Sequence, residues 1–255
     1  MDYIVLDIEF NGRKFASELP MEVIEIGAVR LDASLRAVDE FAAFVKPVYF
    51  AKLNSFIRKK TGIAQEQIDA ADGFPRVIRD FVDWLGRSES FLLVTWGGED
   101  LKRIIYDTRM HKLDDAFWMA TDYFDLLKGY LRIKNVTNDV SVEAALQELG
   151  ISSDGSAHRA LDDAKMTAEI FRAVFSQLDL SQTRRFKDQF TNAKERRLIK
   201  TAVRTMQRQK LTPSWELFCE RYLADKAETA DPRKLAEMRE LLAAEIAKME
   251  PAAGK

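Results

Sequence analysis

The sequence has little cysteine, no long hydrophobic run and almost no net charge. Cys219 is the single cysteine among 255 residues, which excludes an internal disulfide and fits a reducing compartment. No apolar run approaches the ~18 residues of a membrane span, and the N-terminus lacks the pattern of a signal peptide. The net charge of −2 gives the whole chain no general attraction to polyanions. We therefore expect a cytoplasmic protein without a membrane partner, in which polyanion binding needs a local patch or bound metal.

Strand patterns and helix patterns both occur in residues 1–180, which we expect to form one α/β domain. Short apolar runs bounded by turn formers predict strands, and apolar residues at helical spacing predict amphipathic helices. The predicted strands are 3–8, 22–31, 38–47 and 91–96. The predicted helices are a segment starting at Glu99 and the ranges 74–87, 122–132, 141–150 and 158–178.

The composition changes after residue 180, and residues 181–255 predict a helical extension. Ten cations and two acids lie between residues 183 and 210, so this stretch, predicted as a basic helix over 184–210, carries a charge of about +8. Two further helices are predicted over 212–223 and 231–249. The basic helix has two interpretations: a surface that holds nucleic acid, or an amphipathic helix packed on a core with a solvated face.

Two carboxylates stand one residue apart at the end of the first predicted strand. Asp7 and Glu9 flank Ile8, so both side chains point to the same face of the strand. Like charges this close repel each other unless a cation lies between them. Carboxylate oxygens suit Mg²⁺ or Mn²⁺, although the same pair also occurs on solvated edge strands.

Three more residues are candidates for the same site. Asp100 follows the fourth predicted strand and a glycine pair, and Asp163 lies on the long helix that His158 precedes by five residues. Spacing of five is off the helix face, so we expect His158 on a mobile loop after the turn formers of 152–157. Taken singly, both aspartates could be first-turn charges favoured by the helix dipole, and His158 could be an exposed loop residue.

The order of these motifs strongly resembles that of the DEDDh 3′–5′ exonucleases, the DnaQ-like branch of the ribonuclease H-like superfamily. The resemblance covers residues 1–178 and rests on "DIE", "EVIEIGAV", the Asp after the fourth strand and H-x-A-x-x-D in "HRALDDA". The stretches "FVKP", "LNSFIRKKTGIAQEQIDAADGFPRVIRDFVDWL" and "LVTWGGED" are similar to the Eri-type and KapD-like subgroup.

The resemblance implies a mixed five-stranded sheet flanked by helices and a 3′–5′ exonuclease that acts on single-stranded nucleic acid with a free 3′ end. RNA is the preferred substrate on the subgroup resemblance, and nucleoside 5′-monophosphates are the products. Two divalent ions, Mg²⁺ or Mn²⁺, would be the cofactors, and His158 would be the general base. The implied metal ligands are Asp7, Glu9, Asp100 and Asp163.

Several residues are candidates for substrate contact. Phe10 follows the D-x-E pair, Met21 precedes the second strand and Trp96 lies near Asp100; each could instead belong to the core. Glu25 could form a structural hydrogen bond or contact substrate. The candidates in the basic segment are Arg196, Arg197 and Lys200.

Two other functions remain open from the sequence. One is a DNA proofreading or repair exonuclease with the same site. The other is a nucleic-acid-binding module that retains the fold without catalysis, which the presence of all five motif residues disfavours. The oligomeric state is left open.

Overall fold

The computed structural model describes residues 1–12, 21–152, 158–223 and 231–248. The chain divides into two compact units, Met1–Phe186 and Lys187–Lys255. Within the described residues, no helix has both the length and the apolar character to cross a bilayer.

A mixed sheet forms the centre of the first unit. The strands lie in the order β3-β2-β1-β4-β5-β6. Strand β1 pairs antiparallel with β2 and parallel with β4, while β2 pairs antiparallel with β3 and β4 pairs parallel with β5. The strands are β1 (Asp2–Asn11), β2 (Glu22–Leu31), β3 (Ala37–Phe44), β4 (Phe91–Thr95), β5 (Asp122–Asp125) and β6 (Arg184–Arg185). The mixed sheet is confirmed, and the sixth strand, beyond the five expected, is a two-residue edge strand.

Helices cover both faces of this sheet. The helices of the first unit are α1 (Ser55–Thr61), α2 (Gln65–Asp69), α3 (Phe74–Leu85), α4 (Glu99–Met110), α5 (Ala116–Ala120), α6 (Leu126–Lys134), α7 (Val142–Leu149) and α8 (Ala160–Val174). Two 3₁₀ turns follow α8, at Phe175–Gln177 and Leu180–Gln182.

Alternate residues of β1 enter different cores. Ile4 and Leu6 are buried with Phe81 of α3, on one face, and Tyr3 and Val5 are buried with Phe171 of α8, on the other. A central strand covered on both faces must be apolar on both, which explains the continuous hydrophobic run before Asp7. The run therefore carries the following carboxylates into the middle of the sheet.

The prediction of a helix over 122–132 is wrong for its first residues. Residues Asp122–Asp125 form β5, and α6 begins only at Leu126. The Asp125 side chain accepts a hydrogen bond from the Lys128 N–H at 3.0 Å, so it caps the helix and separates the two elements. Pairing with β4 sets the strand, and local propensity does not reveal it.

The second unit has its own helical core. Its helices are α9 (Ala193–Arg208), α10 (Trp215–Phe218) and α11 (Pro232–Ala247), and a π-helical turn spans Cys219–Leu223. The basic helix predicted over 184–210 is shorter than expected, because Asn192 and Glu195 form a capping box at its start and Arg184–Arg185 belong to β6. Ile199, Met206, Phe218, Met238 and Leu242 are buried together.

Candidate active site

The first two acidic residues lie where β1 passes through the middle of the sheet. Asp7 pairs with Gly27 of β2, and Glu9 pairs with Glu25. The register shifts after Glu9, so a bulge separates it from Phe10. Asp7 is half-buried and Glu9 is buried, and both line one pocket.

Asp100 reaches the same pocket from the neighbouring strand. Strand β4 runs parallel to β1, so the carboxyl ends of both strands face one edge of the sheet. Helix α4 begins directly after β4, and Asp100 lies in its first turn and lines the pocket. Burial raises the pKa of Asp100 to about 7, although a hydrogen bond from the Ile8 backbone N–H opposes the shift.

Helix α8 approaches the sheet closely because β2 has no side chain at Gly27. A Cβ there would lie 2.5 Å from the Ala160 carbonyl oxygen and would overlap the Leu161 backbone. Glu25, two residues earlier, accepts hydrogen bonds from the Arg159 guanidinium at 2.7 Å and from the Ala160 N–H at 3.1 Å. Glu25 therefore has a structural role: it holds the start of the helix that carries Asp163.

His158 lies beside Asp163, before the first turn of α8. Its backbone N–H donates to Asp163 Oδ1 at 3.2 Å, and its φ of 74° lies in the left-handed region, which is uncommon for a residue with a side chain. As expected, His158 precedes the helix; residues 153–157 of the turn segment predicted before it lie outside the described residues. Ligand atoms of Glu9, His158 and Asp163 all lie within 4.8 Å of one another.

The four carboxylates oppose one another's ionisation. Burial raises the pKa of Asp7 well above its usual value, and the charges of Asp100, Asp163 and Glu9 raise it further. Burial also raises the pKa of Glu9 to about 7. Such a cluster needs positive charge to be fully ionised at neutral pH. Carboxylate oxygens are ligands that divalent cations such as Mg²⁺ and Mn²⁺ accept, so the residues present fit a divalent metal site.

Helix α1 supplies a side of the pocket that was not predicted. Phe56, Ile57 and Lys60 line it together with the acidic residues. Phe56 is 65% exposed, and Lys60 is an exposed cation whose charge lowers the pKa values of Asp7 and Glu9. The sequence signal was the unusual combination of an aromatic residue and consecutive cations within "SFIRKKT".

The aromatic and methionine residues predicted to contact substrate have different surroundings in the structure. Phe10 lines the pocket, and its ring centre lies 5.4 Å from the Arg103 guanidinium carbon. Trp96 packs against the core around Tyr130, and its Nε1 donates a hydrogen bond to the Val140 carbonyl oxygen at 2.9 Å. Its ring and its N–H group therefore already have partners within the protein. Met21 is half-buried and is not among the pocket-lining residues.

The three residues of the second unit that were predicted to contact substrate differ in exposure and in hydrogen bonding. Arg196 is half-buried, and its guanidinium donates to the Thr191 carbonyl oxygen, which ties it to the residues before α9. Arg197 and Lys200 are exposed on α9. Among the residues that the structure describes, Arg197 and Lys200 have no ion pair or side-chain hydrogen bond, whereas Arg196 is in an internal contact.

The part of the sequence that contains this site matches a known protein family. A family model described as exonuclease (RNase_T) matches residues 4–171, which includes all five predicted site residues. The chain belongs to the exonuclease family. A solved structure of the nuclease domain of 3′hExo, a DEDDh family member bound to rAMP, is similar with a TM-score of 0.65 and 26% identity. That similarity covers 74% of this chain and 97% of the other, and the DEDDh resemblance is confirmed.

Two curated exonucleases are similar to about two thirds of the chain. The 3′–5′ exoribonuclease 1 of Mus musculus is 30% identical over an alignment of 179 residues that covers 66% of this chain and 52% of the mouse protein. The probable 3′–5′ exonuclease KapD of Bacillus subtilis is 28% identical over an alignment of 177 residues that covers 67% of this chain and 83% of KapD. The chain thus spans about half the length of the mouse exonuclease.

Proposed function

We propose that this exonuclease hydrolyses phosphodiester bonds from the 3′ end of single-stranded RNA and releases nucleoside 5′-monophosphates. One observation carries the proposal: four carboxylates and one histidine from β1, α4 and the start of α8 line or border one pocket. The preference for RNA is supported by the similarity to a curated 3′–5′ exoribonuclease.

The residues of the site would have separate roles in the reaction. Asp7, Glu9, Asp163 and Asp100 would hold two divalent ions, Mg²⁺ or Mn²⁺, with Asp7 shared. When bound, such ions supply positive charge at the attacking and leaving oxygens of an in-line displacement. His158 would accept the proton of the attacking water. The water oxygen forms the new bond to phosphorus and the bond to the 3′ oxygen breaks. The departing 3′ oxygen takes a proton from solvent, so the shortened strand ends in a 3′ hydroxyl.

The test is a comparison of two substrates with one catalytic variant. The protein is incubated with Mn²⁺ or Mg²⁺ and 5′-labelled single strands of RNA and DNA of one sequence. We expect a ladder that shortens from the 3′ end on RNA, and about 100-fold or greater loss with His158→Ala, since general base catalysis contributes that much. Cleavage of DNA alone would assign a DNA exonuclease, and no cleavage of either strand would support a binding module.

We also propose that helix α1 positions the 3′ nucleotide. Phe56 offers an exposed aromatic face at the pocket, and aromatic side chains bind single strands by base stacking. Lys60 is the cation on the same wall. Once metal ions balance the carboxylates, the Lys60 ammonium is free to contact a phosphate oxygen of the substrate.

Lys60→Gln is expected to raise KM for an oligonucleotide about tenfold or more, because a charge-assisted hydrogen bond contributes about 1.5–3 kcal/mol. Lys60→Arg, which keeps the charge, should retain most of the affinity. The measurement is steady-state kinetics at saturating Mn²⁺, together with binding of AMP by calorimetry. If Lys60→Gln binds metal more tightly while KM and AMP affinity stay unchanged, Lys60 only offsets the carboxylate charge.

A further inference from the structure

Helix α9 carries a row of cations along its outer side. The row, called the basic stripe here, consists of Lys194, Arg197, Lys200, Arg204 and Arg208. All five side chains are exposed. At about 100° per residue they fall within an arc of about 120°, and at about 1.5 Å per residue the row is about 21 Å long.

The opposite side of the same helix packs into a hydrophobic core. Ile199, Ala202, Val203 and Met206 are buried in the core of the second unit. The amphipathic interpretation of this segment is therefore correct for its apolar face, but it leaves the outer cations without a packing role. A polar outer face is ordinary for an amphipathic helix, but a solvated face usually mixes charges of both signs, whereas α9 carries six cations and the single acid Glu195.

The stripe has little internal neutralisation. None of its five members has an ion pair or a side-chain hydrogen bond with another described residue. The hydrogen bond from Lys248 at 2.7 Å lowers the pKa of Glu245, and the charges of Lys200 and Arg204 lower it further. Glu195, at the start of the helix, is bonded to Lys234 in the same way. The stripe thus keeps about five positive charges in a chain whose net charge is −2.

We propose that the basic stripe binds the sugar-phosphate backbone of a nucleic acid strand. The argument is charge complementarity in a linear arrangement: a strand in helical form carries one phosphate per about 3.4 Å of axis, so a row of about 21 Å faces about six phosphates. The contact reads no bases, so it suits RNA and DNA alike. The proposal rests on the proposed function in one respect: the strand that binds the basic stripe is taken to be the substrate of the exonuclease.

The experiment measures binding without cleavage. A fluorescein-labelled single-stranded 20-mer is titrated with the full chain in EDTA, and anisotropy is recorded at several salt concentrations. The test variant is Arg197→Gln with Arg204→Gln and Arg208→Gln. The control variant is Arg76→Gln with Arg79→Gln and Lys112→Gln, which removes the same charge from exposed residues of the first unit.

We expect the test variant to lose about two units of slope in a plot of log K against log salt, because each phosphate contact contributes about 0.7 for a single strand. The control variant should keep the slope of the parent protein. Equal slopes for the parent protein and both variants would overturn the proposal. Binding to vesicles with anionic lipid, lost in the test variant while 20-mer binding is unchanged, would overturn it in favour of a membrane surface. Since no cleavage is needed, this result is independent of the exonuclease assay.

Discussion

Asp7→Asn is expected to abolish nucleotide release and, in the absence of metal, to raise the melting temperature of the protein. Asp7 is the carboxylate whose ionisation is opposed by Asp100, Asp163 and Glu9 together. In the proposed mechanism it is also the shared metal ligand. We expect the rate to fall by about 10³-fold or more, because one interaction that stabilises developing charge contributes about 10²–10³ and a shared ligand affects both ions.

The rise in stability follows from the removal of repulsion. A neutral amide in place of a half-buried carboxylate should add about 1–2 kcal/mol, which is about 2–8 °C for a domain of this size. The measurement is thermal unfolding in EDTA and again with millimolar Mn²⁺. The parent protein should gain stability from the metal, and the variant should gain little, because a ligand stabilises only the state that binds it. A lower melting temperature of the variant in EDTA would contradict the repulsion argument.

The pH dependence of the metal-free protein has a definite sign. The folded-state pKa values of Glu9 and Asp100 are about 7, well above the usual values of about 4. Between about pH 4 and about pH 7 the folded state holds protons that the unfolded state has lost. The contribution of these two carboxyl groups to the free energy of unfolding is therefore present at low pH and disappears as pH rises through about 7. Asp7→Asn weakens the repulsion, so the gap in melting temperature between variant and parent should widen from about pH 6 to about pH 8.

Part of the site was predictable because Asp7 and Glu9 continue an apolar strand and Asp100 follows the end of another. The apolar run before Asp7 predicted a strand, and the glycine pair before Asp100 marked the end of the fourth strand. The resemblance to the DEDDh exonucleases then grouped these acids in one site, whereas the parallel pairing of β1 and β4 that brings them together was not predicted. The sequence left a structural hydrogen bond as one of two roles for Glu25, but its partner Arg159 was not predictable, because Arg159 is 134 residues away and only the packing of α8 on β2 brings the two together.

The α1 side of the pocket and the strand β5 were missed for related reasons. Lys60 and Phe56 belong to a short helix with three consecutive cations, but their proximity to the carboxylates depends on how α1 packs against β1. The four residues of β5 run directly into a helix, so the helical pattern of the following segment extended over them. In both cases tertiary contact overrides the local signal.

Among the glycines that the structure describes, Gly27 is the one at which substitution by alanine is expected to destabilise the protein most. The new Cβ would meet the backbone of Ala160 and Leu161, which cannot rotate away as a side chain can. Either β2 bends or the start of α8 moves outwards. Overpacking of this kind costs about 1–3 kcal/mol or more, so we expect a melting temperature lower by several degrees.

The same displacement should also reduce activity. If α8 moves by about 1 Å, His158 and Asp163 move with it away from Asp7, and a misplacement of that size can cost about 10²-fold in rate. Gly86→Ala is the matched control, because its Cβ would lie 3.4 Å from the nearest atom and its backbone is right-handed at the end of α3. That variant should be neutral or slightly more stable. Rates are compared well below both melting temperatures. If Gly27→Ala retains the parent rate there, close approach of α8 to β2 is not what holds His158 and Asp163 in place.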